Sequence, residues 1–469
     1  MSTGYIFQEE HVDSLAHAQL VERLEEALSA ALTAAGEAPR VFRVEAPLPN
    51  ISPLKWLRAQ RPGPRVYWSD RDGIFESAGV GEACVVGGVD PVDYTALFAR
   101  LCETLTPAYP NLSFYGGIQF DSASDLSPQW APFGSYRFVA PKFELFRSAG
   151  ATRFACTIVS AKERSVRDQI ADTILQLRAL SFGVNELPAD CAPPLSRRDA
   201  PDYAGWADAI RQALAAAEQG AIEKVVLARE SRFTFSEPLD PLALLVRLTD
   251  ATPNSYHFCF QASDSTAFIG ASPERLFRRE GQRLESEALA GTRPRGADEI
   301  SDQALGNALM QCDKDIREHR FVFEALRHAF AALCDYVTAD PDVSLIKLQV
   351  CQHLWRRIEG ALRPSVSDPD ILRALHPTPA VGGYPTAAAL ALIPRLEPFH
   401  RGWYAGPVGR ITHDTAEFAV AIRSGLVQDS FLAVYSGAGI LPGSHPESEW
   451  AEIENKMGTF LSVLSANGG

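Results

Sequence analysis

Two predicted helices each carry a pair of carboxylates three residues apart. The segment QCDKDIREHR contains Asp315 and Glu318 at this spacing, and ESEWAEIENK contains Glu449 and Glu452. Residues three apart lie on the same face of a helix, so each pair can present oxygens to one cation. The pattern suits a hard divalent ion such as Mg²⁺. It is equally compatible with solvated surface charge, because Lys456 follows Glu452 at the spacing of a helical ion pair.

A lysine at the start of an apolar strand is a second candidate for chemistry. In EKVVLARE, residues 223–230, a strand conformation places Lys224 on the same face as Val226 and Ala228. Burying an ammonium group is costly unless it is paired or neutral. Lys224 is therefore either the solvated end of a strand or a functional base.

Further candidates lie in loops and at strand ends. Glu274 follows the predicted strand TAFIGAS, a position where a rigid element can hold an acid at a cleft, although charged loop residues are common. Glycines in LAGT and SGAGILPG allow close approach of the backbone to a ligand. The second segment lacks the glycine spacing of a dinucleotide site, so it is a poor nucleotide signal. His353 has no partner at zinc-ligand spacing, and a buried core histidine is the alternative.

Composition excludes several classes of function. A formal net charge of −14 over 469 residues leaves no basic excess for binding nucleic acid. No basic and apolar leader and no apolar run of membrane-spanning length occur, so we expect a cytoplasmic protein without membrane segments. The eight cysteines form no CxxC pair or zinc spacing and are expected to be reduced, mostly buried thiols.

The arrangement of elements predicts an α/β protein of the α+β type, with packed, mainly antiparallel sheets flanked by helices. Short apolar runs alternate with turn signals from Val41 onward, and most gaps are too short for crossover helices. We predict an N-terminal part over 1–195 and a catalytic part over 196–469, joined by a Pro-rich linker at 185–206. The predicted helices are 15–35, 163–180, 203–218, a long helix over 301–337, and a last helix from 446.

Ten stretches taken together resemble the chorismate-utilising enzymes, the family that includes component I of anthranilate synthase. In order, from Lys224 to Lys456, they are KVVLAR, SPERLF, EALAGT, DKDIREH, QHL, HPTPAVGGYP, WYAGPVG, AVAIRS, SGAGI and EWAEIENK. The N-terminal half is similar in kind to the more variable domain of these proteins, with FYGGIQFD as its best local match. The resemblance implies a single large assembly of packed antiparallel sheets flanked by helices.

Positions that differ among these enzymes indicate the reaction. Members that add ammonia carry glutamine where this chain has Lys224, so the resemblance implies water as the nucleophile. Aminodeoxychorismate synthases carry a second lysine where this chain has Ala290. Salicylate synthases tend to have lysine where Thr386 follows HPTPAVGGYP. The chain thus resembles the isochorismate synthases, with a salicylate synthase as the runner-up and a catalytically silent binding homologue as a different class.

The resemblance also implies roles for individual residues. Lys224 would be the general base for a water that attacks C2 of chorismate, and Glu274 the general acid for the departing C4 hydroxyl. Glu318 and Glu452 would hold Mg²⁺, with Asp315 and Glu449 either supporting these ligands from behind or bound to the ion through water. Arg423 and Tyr404 would meet the enolpyruvyl carboxylate, and the remaining pocket positions would be Lys456, Gly437, Thr292, His353, Ala290 and Gly291. No glutaminase subunit is expected because ammonia is not the nucleophile, and the protein is expected to be a monomer.

Overall fold

The computed structural model describes residues 18–19, 21–27, 30, 41–122, 126–160, 165–183, 192–348 and 351–464. Residues 18–19, 21–27 and 30 are helical, as predicted for 15–35, and the rest of that range lies outside the described residues. The α-helices beyond residue 40 are α1 Pro53–Arg58, α2 Tyr94–Cys102, α3 Val166–Arg178, α4 Tyr203–Glu218, α5 Pro241–Ala251, α6 Glu299–Gln311, α7 Asp313–Leu333, α8 Asp368–Leu375, α9 Thr386–Leu396 and α10 Pro446–Leu464.

Twenty strands occur in the described residues. They are β1 Val41–Leu48, β2 Arg65–Ser69, β3 Phe75–Gly88, β4 Phe114–Ile118, β5 Tyr136–Ser148, β6 Ala151–Val159, β7 Ser196–Ala200, β8 Lys224–Thr234, β9 Tyr256–Ser263, β10 Thr266–Ser272, β11 Arg275–Glu280, β12 Arg283–Pro294, β13 Cys334–Ala339, β14 Ser344–Lys347, β15 Cys351–Leu362, β16 Gly383–Tyr384, β17 Pro407–Ile411, β18 Thr415–Val420, β19 Ser424–Gln428 and β20 Phe431–Ile440.

All the strands are connected through antiparallel pairs, and the network branches at β5, which pairs with β3, β4 and β6. One run continues β3–β2–β9–β10–β19–β20–β8. The other continues β4–β17–β18–β11–β12–β15. The predicted fold class is confirmed: mainly antiparallel sheets flanked by helices. Strands from the first 195 residues pair directly with later ones at β2–β9 and β4–β17.

The predicted long helix over 301–337 is wrong in extent. The chain forms α6 and α7 instead, separated by Cys312, whose extended backbone (φ −81°, ψ 112°) interrupts the helical hydrogen bonds. Residues beyond Leu333 turn into strand β13, which pairs with β15. Apolar residues are buried at helical spacing on each side of Cys312. Leu309 is buried before the break, and Val322, Phe323 and Leu326 are buried after it.

The predicted linker over 185–206 is also only partly a linker. Residues 192–195 form no regular element, whereas Ser196–Ala200 is β7, paired with β8, and α4 begins at Tyr203. Asp202 caps α4 by accepting a hydrogen bond from the Gly205 N–H, which explains why the helix begins where the sequence predicted. Residues 185–191 lie outside the described residues, and so does Cys191, while the seven described cysteines are free thiols.

Helix α10 has an apolar face and a charged face, as predicted. Ile453, Met457 and Phe460 are buried against the sheet, and Glu452 and Lys456 point the other way, toward a cavity. Among the described residues, no helix has the length and apolar character needed to span a membrane.

Candidate active site

A cavity that opens to solvent lies between the two runs of strands and the helices α7 and α10. Eleven of the fourteen residues selected from the sequence line it: Glu274, Ala290, Gly291, Thr292, Glu318, His353, Tyr404, Arg423, Gly437, Glu452 and Lys456. The other three, Lys224, Asp315 and Glu449, do not form its wall. Residues that are far apart in the chain are therefore brought to one cavity.

The strand network explains how this convergence arises. Glu274 lies in the two-residue connection between β10, in one run, and β11, in the other. Thr292 is paired with His353 across β12 and β15 of the second run. Gly437 lies on β20, the neighbour of Lys224's strand in the first run. The cavity wall is thus built at the place where the two runs approach each other.

Lys224 is completely buried at the first position of β8. Its Nζ lies 3.0 Å from Oε1 of Glu318, an ion pair by distance, but the angle is outside hydrogen-bond geometry. Among the described residues the ammonium has no hydrogen-bond acceptor. A Cβ on Gly439 would lie 2.5 Å from that carboxylate oxygen and 2.9 Å from Lys224 Cε, so glycine leaves room for the pair. The solvated strand end considered from the sequence is therefore excluded.

Glu274 is a buried carboxyl group whose environment favours its protonated form. Burial, followed by the negative charge of Glu287, raises its pKa to about 8, against the opposing charges of Lys224, Lys456 and Arg71. The group is therefore protonated over the neutral pH range and can donate a proton into the cavity.

Two residues that the sequence analysis did not select hold Glu274 in place. Arg71, in the turn between β2 and β3, donates to the carbonyl of Pro273 at 2.8 Å and forms a two-pronged ion pair with Glu287. Glu287 also accepts a hydrogen bond from Trp355 Nε1 at 2.8 Å. Arg71 thus connects the N-terminal half of the chain to the loop that carries Glu274. The local sequence around Arg71 gives no signal of this contact.

Glu452 and Lys456 form a second ion pair on the cavity wall, at 2.7 Å. Lys456 also donates to the Gly437 carbonyl at 2.9 Å. Burial raises the pKa of Glu452, but the charges of Lys456 and Lys314 outweigh burial and hold that pKa below its usual range. Glu452 is therefore ionised, and two carboxylates, Glu318 and Glu452, line the cavity, each paired with one lysine.

The residues present fit a magnesium ion held by two carboxylates. Among the described residues, no group of three or more His, Cys, Asp or Glu side chains is placed to hold a metal. Mg²⁺ is commonly held by one or two carboxylates, with waters and substrate oxygens completing its shell. Glu318 and Glu452 meet that requirement, since both line the cavity and each has only one oxygen engaged by a lysine.

The other two predicted carboxylates are already occupied by protein cations. Asp315 accepts from Arg293 at 2.6 Å, and Glu449 accepts from Lys314 at 2.6 Å. Both are buried, and burial raises the pKa of Glu449. Asp315 and Glu449 are therefore close to cavity residues in the sequence, but their side chains do not form part of the cavity wall.

The far side of the cavity carries hydrogen-bonding and cationic groups. Nδ1 of His353 lies 3.1 Å from Thr292 Oγ1 and 3.0 Å from the Gly291 carbonyl oxygen. Arg423 has a left-handed backbone (φ 51°) and donates to the Lys456 carbonyl at 3.1 Å. Tyr404 is buried, and burial raises the pKa of its hydroxyl. These groups make one end of the cavity suited to an anion.

The fold and this cavity define a chorismate binding enzyme, and the chain belongs to that family, whose model matches residues 25–465. Isochorismate synthase 2, chloroplastic, of Arabidopsis thaliana is 34% identical over 461 residues, which cover 90% of this chain and 80% of that protein. Isochorismate synthase MenF of Bacillus subtilis is 33% identical over 437 residues, covering 88% and 91%. The solved structure of MenF, the menaquinone-specific isochorismate synthase of Escherichia coli, superimposes with a TM-score of 0.83 at 30% identity, covering 94% of this chain and all of that one.

Proposed function

We propose that this chain is an isochorismate synthase, which converts chorismate into isochorismate by moving the ring hydroxyl from C4 to C2. The observation that carries the proposal is that a fully buried lysine, Lys224, acts through its charge on a buried and protonated residue of the cavity wall, Glu274. One group can accept a proton and the other can donate one, which is the arrangement that acid–base catalysis requires. The isochorismate synthases among its relatives support the choice of reaction.

In this proposal Lys224, in its unprotonated form, removes a proton from a water molecule. The water oxygen bonds to C2 of the ring, both ring double bonds shift along the ring toward C4, and the bond between C4 and its oxygen breaks. Glu274 gives its proton to the departing oxygen, which leaves as water. One hydroxyl is gained and one lost, so substrate and product are isomers, and we expect a reversible reaction.

The charges in the cavity favour a divalent cation with the substrate. Chorismate brings two carboxylates into a cavity that already contains Glu318 and Glu452. Bound between these glutamates, Mg²⁺ would neutralise the ring carboxylate and so orient the ring. Arg423 and Tyr404 lie on the cavity wall where the enolpyruvyl carboxylate would need a cation and a hydroxyl donor. Because the nucleophile is water, no subunit that supplies ammonia is required.

Changing Glu318 to Gln is expected to raise the Mg²⁺ concentration needed for half-maximal activity by about tenfold or more, since a neutral amide is a poorer ligand for a hard cation. The measurement is initial rate against Mg²⁺ concentration. Glu324→Gln is the matched control, because Glu324 lies on the same helix but is half-exposed and pairs with Arg327 on the surface. Superimposable Mg²⁺ titrations for Glu318→Gln and wild type would remove Glu318 from the metal site.

Changing Glu287 to Gln is expected to shift the alkaline limb of the rate profile to lower pH. The negative charge of Glu287 helps to raise the pKa of Glu274, so its removal lowers that pKa and the acid loses its proton earlier as pH rises. The measurement is kcat against pH. Glu285→Gln is the control, because Glu285 lies on the same strand and pairs with Arg283 at the surface. An unchanged or upward-shifted limb in Glu287→Gln would contradict the assignment.

A further inference from the structure

Cys351, which the proposed reaction does not use, lies directly against the cavity wall. It begins strand β15, two residues before His353, so the two side chains emerge on the same side of the strand. Its Sγ lies 3.2 Å from His353 Nε2 and 3.9 Å from Nη2 of Arg423. Both of these partners line the cavity, whereas Cys351 lies behind them and lines a neighbouring cavity of about 430 Å³.

The partners of the other ring nitrogen determine where the imidazole carries its hydrogen. Nδ1 of His353 is 3.0 Å from the Gly291 carbonyl oxygen, and a carbonyl oxygen can only accept. Nδ1 therefore carries a hydrogen, and Nε2 is the atom that shares a proton with the sulfur of Cys351.

The surroundings of the sulfur favour the thiolate form of Cys351. Burial raises the pKa of the Cys351 thiol, but His353 and then Arg423 outweigh burial and bring it down to about 6. Arg295, which follows β12, also interacts with Cys351, but its guanidinium donates to both carboxylate oxygens of Asp302. The side chains that contact the sulfur directly are those of His353 and Arg423.

We propose that Cys351 is a positioning residue whose thiolate fixes the ring of His353 and orients Arg423 toward a chorismate carboxylate. The inference rests on the proposed function for the identity of the substrate. The inference assigns Cys351 a role that it fulfils through its contacts with His353 and Arg423, without contact with the substrate. An anion behind the wall can fix the direction of the Arg423 guanidinium while leaving its other N–H groups free for the ligand.

The first test detects the thiolate without any activity measurement. The far-ultraviolet absorbance of wild type minus that of Cys351→Ser is recorded from pH 4 to pH 9 on the intact protein. A step of one thiolate with a midpoint near 6 is expected. Cys334→Ser is the matched control, because Cys334 is also buried, lies on a strand that pairs with β15, and has its pKa raised by burial to about 11. The control difference should show no step below pH 9.

The second test separates substrate binding from turnover. Cys351→Ser and Cys351→Ala are expected to raise KM for chorismate by about 10- to 100-fold, the effect of weakening a hydrogen bond to a charged group, with a smaller change in kcat. Cys334→Ser should change neither constant. Cys351→Ala supplies the same comparison with no hydroxyl at this position, so agreement of the two variants excludes an effect peculiar to serine.

Three results would overturn the inference: no thiolate step, a step with unchanged KM in the Cys351 variants, or an equal rise in KM in Cys334→Ser. If chorismate is not turned over by wild type at all, the proposed function fails instead. The absorbance step then still reports on the thiolate, so the two failures are distinguishable.

Discussion

Replacement of Lys224 by alanine is expected to lower kcat by about 10²–10⁴-fold, the range attributed to a positioned acid or base. In the proposed reaction Lys224 takes the proton of the attacking water, whereas Glu318, its ion-pair partner, is assigned to the metal. Lys224→Met is the companion variant, since it keeps most of the side-chain volume in a fully buried site and removes only the amine. The measurement is kcat under saturating chorismate and Mg²⁺.

Lys142→Met is the control for this experiment. Lys142 pairs with Gln176 at the surface, far from the cavity, and undergoes the same chemical change. Thermal unfolding of each variant checks that the fold survives. Folded Lys224→Met with wild-type kcat would show that Lys224 is not the base.

Replacement of Glu274 by glutamine is expected to lower kcat by a similar factor, because an amide has the shape of the acid but gives no proton to the leaving oxygen. The wild-type rate should itself fall as pH rises through about 8, where Glu274 loses its proton. Chorismate binding, followed by direct titration of the inactive variant, should be retained because the ion-pairing groups of the cavity remain.

The Glu274→Gln variant is also expected to change how the stability of the protein depends on pH. The folded protein holds the Glu274 proton up to a pKa of about 8, above the value for an unfolded chain. The folded state therefore binds more protons than the unfolded state, and this group makes wild type less stable as pH rises from about 4.5 to 8. Glu274→Gln should lose less stability over that interval, as measured by denaturant unfolding.

Glu280→Gln is the control for both measurements, because Glu280 is at the exposed end of β11 and pairs with Arg278. A Glu274→Gln variant that keeps wild-type kcat would rule out the acid role. A stability profile identical to that of wild type would show that Glu274 is ionised in the folded protein.

The fold class followed from local patterns, because turn signals and short gaps exclude crossover helices. Helix α4 was placed with its bounds because Asp202 supplies a cap immediately before an amphipathic run. The break at Cys312 was not predicted, because both α6 and α7 bury residues at helical spacing. An interruption of one residue does not change that spacing. Strand β7 was missed because SRRDA is polar and largely exposed, and its pairing with β8 is its main support.

The order of the motifs selected fourteen candidate residues, and eleven of them line one cavity in the folded chain, while their roles stay predictions. Arg71 and Glu287 were not found, because they are 216 residues apart and meet only in the folded chain. The charge environment of Glu274 depends on that contact and cannot be inferred from neighbouring sequence. Asp315 and Glu449 were selected by helical spacing, which does not reveal that Arg293 and Lys314 already engage them.

The most direct test of the proposed function is the product formed from chorismate. The purified protein is incubated with chorismate and Mg²⁺, with EDTA in a parallel sample, the products are separated by chromatography, and pyruvate is assayed. We predict isochorismate that approaches a constant ratio to chorismate, without pyruvate and without turnover in EDTA. Salicylate with an equal amount of pyruvate would contradict the account in favour of a salicylate synthase, and no turnover in Mg²⁺ would indicate a catalytically silent homologue.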